Sequence, residues 1–91
     1  ILDIGAQIMN GALPDTPALL PRILPRLNHV HVSEPDLAPA PARPADLVPL
    51  LRQLAARGYA GAVSIEMKRP TEGLPGVRAA AARLAEAMHL T

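Results

Sequence analysis

Polar and apolar residues alternate strictly in two short stretches, and that alternation predicts two β-strands. In residues 28–33, His29, His31 and Ser33 fall on one face while Val30 and Val32 fall on the other. In residues 62–67, Ala62, Ser64 and Glu66 share one face, and Val63, Ile65 and Met67 share its reverse. A third strand is predicted at residues 1–4, with Ile1 and Asp3 opposite Leu2 and Ile4.

The period changes elsewhere. Leu47, Leu50, Leu51, Leu54 and Ala55 follow the spacing of an amphipathic helix, with Asp46 as its N-cap and Pro49 in its first turn. Gly58 supplies the left-handed position at its end. A last helix runs from Leu74 or Pro75 to His89, with Val77, Ala80, Ala81, Leu84 and Met88 on one side. Its alanine run at 79–82 predicts close packing on a sheet. A helix starting near Pro17, capped by Asp15 or Thr16, is short or broken, because Pro21 and Pro25 remove backbone donors. Prolines 35, 39, 41 and 44 make the stretch after the second strand a loop.

Strands and helices thus alternate three times, the signature of a parallel sheet with crossover helices. Polar groups on one face of every strand favour a barrel interior over a doubly wound sheet, whose strands are apolar on both faces. Asp3, His31 and Glu66 stand toward the C-terminal ends of their strands, where a (β/α)₈ barrel keeps its chemistry. Residues 1–91 are read as one partial domain, the C-terminal three βα units (strands six to eight) of a TIM barrel. A barrel of this kind needs roughly 250 residues, so N-terminal strands are expected to be missing. The isolated piece is expected to be unstable and prone to homo-oligomerise through its open strand edges.

Composition narrows the function classes. Nine Lys and Arg against eight Asp and Glu leave a formal charge of +1, with the arginines scattered, so nucleic-acid binding through phosphate charge is not expected. There is no cysteine, which removes thiolate zinc sites and disulfides. No run approaches the ~18 apolar residues of a membrane span, so no membrane partner is expected and a cytoplasmic location is the default. Tyr59 is the sole aromatic side chain.

Asp3, His31 and Glu66 form a mixed oxygen and nitrogen set that suits a divalent ion such as Mn²⁺, Co²⁺, Zn²⁺ or Mg²⁺. Singly, each also reads as structural: His31 as a hydrogen-bonded core histidine, Glu66 as a salt-bridged barrel residue. Three strand ends of like parity weigh toward a site.

The run His29-Val30-His31-Val32-Ser33-Glu34, a helix ending at Gly58-Tyr59, and Gly61-Ala62-Val63-Ser64-Ile65-Glu66-Met67 together resemble the sugar phosphate isomerase/epimerase family. These are xylose isomerase-like TIM barrels related to ketose 3-epimerases, inosose dehydratases and endonuclease IV. The resemblance covers nearly the whole chain. It implies that Asp3, His31 and Glu66 match metal ligands, that another glutamate comes from an earlier strand, and that Glu66 exchanges a proton at the carbon beside a substrate carbonyl. It implies a small sugar or sugar phosphate as substrate. His29, one layer deeper, is given a hydrogen-bonding or substrate-side role, and Glu34 a role in orienting His31 or touching substrate. Many relatives have a histidine three residues after the aspartate; Ala6 stands there, which speaks against a trinuclear zinc site. The loop at 38–44 replaces a common glycine-containing loop and puts substrate contacts there in doubt. An inosose dehydratase-type lyase and a non-catalytic carbohydrate-binding barrel, or an inactive fragment, are the alternatives.

Overall fold

The computed structural model describes all residues, 1–91. Three strands, β1 (Leu2–Asp3), β2 (His29–Val32) and β3 (Ala62–Ile65), form one parallel sheet in the order β1-β2-β3. The helices are α1 (Ile4–Met9), α2 (Leu20–Ile23), α3 (Pro44–Ala56) and α4 (Leu74–His89). The chain is therefore mixed α/β, with a small parallel sheet. None of its helices is long and apolar enough to cross a membrane.

Register sets the geometry of everything that follows. Leu2 lies beside Val30, and Asp3 beside His31. Val30 lies beside Val63, His31 beside Ser64, and Val32 beside Ile65. Because neighbouring strands are in phase, the apolar residues line up on one face and the polar ones on the other. On the apolar face Leu2, Val30 and Val32 are buried in one cluster with Ile4, Leu20, Leu47, Leu50, Leu51 and Leu54. Val63 and Ile65 on the edge strand β3 are only partly covered.

The helical stripe of α3 buries Leu47, Leu50, Leu51 and Leu54 as its spacing predicts, while Ala55 stays exposed. Its start differs from expectation. The helix opens with Pro44 after Arg43, and Asp46 sits in the first turn rather than at the cap. Proline at the first helical position costs no hydrogen bond, since that N–H has no partner inside the helix. Gly58 has φ 75° and ends the helix in the left-handed conformation. Tyr59 then packs against the core, and its hydroxyl donates to the Ala62 carbonyl at 2.7 Å, fastening the entry to β3.

Three further expectations are corrected. Ile4 is not strand but the first residue of α1, which the Asp3 side chain caps by accepting from the Ala6 N–H. Residues Leu13–Leu19 form a 3₁₀ helix that runs into α2, so the proline-rich connection is helical before Pro17 as well as after it. On α4 the buried residues are Ala80 and Ala87; Val77 and Met88 are about half exposed, and Ala81 is exposed. The small buried side chains let α4 pack on α3 rather than directly on the sheet.

Candidate metal and proton-transfer site

The uncovered face of the sheet carries the chemistry. Asp3, His31 and Ser64 occupy adjacent register positions across β1, β2 and β3. Glu66 follows β3 directly and keeps its parity, with its N–H bonded to the Val32 carbonyl at 3.0 Å. Its carboxylate Oε2 meets His31 Nδ1 at 2.7 Å. One layer deeper His29 Nε2 and Ser64 Oγ are 2.7 Å apart. The two imidazole rings contact edge to face with centroids 4.4 Å apart. The polar face is thus two cross-strand hydrogen-bonded pairs stacked along β2 and β3. His31 is largely covered while the Glu66 side chain is nearly half exposed, so the pair opens to solvent on the glutamate side.

Asp3 is held differently. Ser33 Oγ donates to Asp3 Oδ1 at 2.6 Å, and the Ala6 N–H donates to the same oxygen at 3.2 Å. The Ser33 hydroxyl holds the Asp3 carboxyl below its ordinary value of 3.8 against the opposing effect of burial, helped by the N–H groups of Ala6 and Gly5 and by nearby His31. Asp3 is therefore an ionised carboxylate in a prepared position.

The structure brings His31 and Glu66 into contact and sets Asp3 beside His31 in register. It does not close the three around a common point: no three His, Asp or Glu side chains stand together as an ion-holding group. The donor set, two carboxylates and an imidazole, fits a divalent ion chemically. As the side chains lie, the His31–Glu66 bond has to open for both to ligate.

His29 faces the same side as His31 and is bonded to Ser64, a residue that sequence reasoning left without a role. Glu34 does not orient His31. Its Oε2 accepts from the Ala42 N–H at 3.1 Å and closes the loop after β2. It lines a cleft of about 700 Å³ together with Ile8, Leu13, Arg43 and Leu47, and none of Asp3, His31 or Glu66 lines that cleft. Ser33 is the second residue that went unassigned; its parity with His31 was visible, but its link to Asp3 depends on α1 folding over the sheet end. Comparison with known protein families, with curated proteins and with solved structures finds no match to this chain.

Proposed function

We propose that the chain forms strands six to eight of a (β/α)₈ barrel of the sugar isomerase/epimerase kind, which moves a proton beside a carbonyl with the help of one divalent ion. The observation that carries the reading is the His31–Glu66 contact at the C-terminal ends of parallel strands, with Asp3 next in register. A second observation supports the barrel. Parallel sheets almost always have both faces covered, whereas here helices cover one face and the other is polar and partly open. A barrel lumen is the environment that such a face fits, and further strands would pair the free edges of β1 and β3.

In this reading Asp3, His31 and Glu66 would hold the ion. When bound, it would supply Lewis acidity to polarise the substrate carbonyl. Glu66, the most exposed acceptor next to His31, would take the proton from one face of the adjacent carbon, and the glutamate expected from an earlier strand would deliver a proton to the opposite face. His31 Nδ1 steadies the Glu66 carboxylate through the 2.7 Å contact. His29 and Ser64 form the floor and exclude water beneath the reacting carbon. A dehydratase would use the same residues, so epimerase and lyase differ in what the rest of the barrel supplies.

Calorimetric titration of the chain with Mn²⁺ and Co²⁺ tests the reading. One ion per chain is expected, with affinity falling at least about tenfold in His31→Ala and Glu66→Gln. Absence of binding in a barrel completed with its earlier strands, or variants that bind as the parent does, would overturn the metal site and favour the non-catalytic carbohydrate-binding alternative.

A further inference from the structure

Ser33 is almost fully buried, at 1 % exposure, yet its hydroxyl is used twice. It accepts from the Gly5 N–H at 2.9 Å and donates to Asp3 Oδ1 at 2.6 Å. A serine hydroxyl carries one hydrogen. Since the Gly5 N–H must donate, that hydrogen is committed to Asp3. Both hydrogen bonds to Asp3 fall on Oδ1, so Oδ2 is the oxygen left for an incoming group. The close approach needs a glycine. A Cβ at position 5 would stand 2.7 Å from Ser33 Oγ and 3.1 Å from the Glu34 carbonyl oxygen.

We propose that Ser33 is a positioning residue: a buried hydroxyl, held by the Gly5 backbone, that fixes the rotation of the Asp3 carboxylate and presents Oδ2 to the open face. Its use in metal binding rests on the function proposed above; the positioning itself does not. Fixing the ligand in advance lowers the ordering cost of binding, which is why hydrogen bonds behind a ligand alter affinity.

The test is a double-mutant cycle on Mn²⁺ affinity, with circular dichroism as a check on folding and nuclear magnetic resonance of the Asp3 side-chain rotamer in metal-free protein. Ser33→Ala is expected to weaken Mn²⁺ binding about ten- to a hundredfold. In an Asp3→Asn background the same change is expected to cost less than about twofold, since nothing remains to be positioned. Equal losses in both backgrounds, or no loss in either, overturn the proposal. Should Ser33→Ala fail to fold, Gly5→Ala, which displaces the hydroxyl without removing it, is put through the same cycle and judged by the same two outcomes. If the parent chain takes up no Mn²⁺, metal binding by the chain alone fails by itself. The positioning device is then judged on the Asp3 side chain: one fixed rotamer in the parent that gives way to rotamer averaging in a folded Ser33→Ala upholds it, and the same side-chain order in both overturns it.

Discussion

The two faces of this sheet are built on the same three strands but are held together by different physics. On one face Leu2, Val30 and Val32 lose essentially all contact with water against a layer of leucines. On the other, Asp3, His29, His31, Ser64 and Glu66 stay partly or well exposed and are tied by single hydrogen bonds across strands. Burial is non-directional and scales with area, so the first face supplies cohesion. Hydrogen bonds between exposed groups exchange with water at little net gain, so the second face contributes geometry instead. Stability and chemistry are thereby separated across one backbone layer, and side chains on the polar face are free to serve a ligand.

The sharpest way to break that division is a cavity on the apolar side. Leu50→Ala, at a 1 % exposed position, is expected to cost about 2–5 kcal/mol in urea unfolding. A loss below about 1 kcal/mol would mean the leucine layer is not what holds the sheet. Ser33→Ala comes next, at about 1–3 kcal/mol, because it leaves the buried Gly5 N–H without its acceptor. Glu66→Gln should cost less than about 1 kcal/mol, since its partner contact is substantially exposed. A larger loss would show that the polar face is also structural.

The smallest effect concerns acid. Asp3 has a folded pKa below its ordinary 3.8, so its contribution is complete above that value and is lost as pH falls below 3.8 through the folded pKa. Asp3→Asn should flatten the stability profile in that window and leave neutral-pH slopes unchanged. Unfolding at a series of pH values for both proteins checks this.

Much of this division was legible beforehand. The period of two in residues 28–33 and 62–67 and the 3.6 period of Leu47 to Leu54 define β2, β3 and α3, because each run is long enough for its period to show. At the start of the chain the strand was legible but its end was not. Leu2–Asp3 is β1 as expected, but Asp3 is also a strong helix-capping residue, and its local hydrogen bond turns the chain into α1 at Ile4. The apolar arc on α4 misled for another reason: hydrophobic spacing defines an arc, whereas the neighbour available to α4 covers only its alanine side. Within the site, parity put His29 and His31 on one face of β2, and Ser64 and Glu66 on one face of β3. Which atoms touch depended on strand register, which no single strand encodes. Ser33 was hidden because its partner lies thirty positions away, across a helix that was not anticipated.

Tyr59 gives the chain a reporter of its own. It is the sole aromatic residue, in a sequence without tryptophan, and its phenol is bonded to the Ala62 carbonyl where the backbone enters β3. Burial raises its ionisation above the ordinary value of 10.0. All near-ultraviolet emission from this molecule therefore originates at one fastening point. Detachment of the Glu66-bearing strand can be followed by tyrosine fluorescence, and by the alkaline absorbance change of a single phenol, without any introduced label.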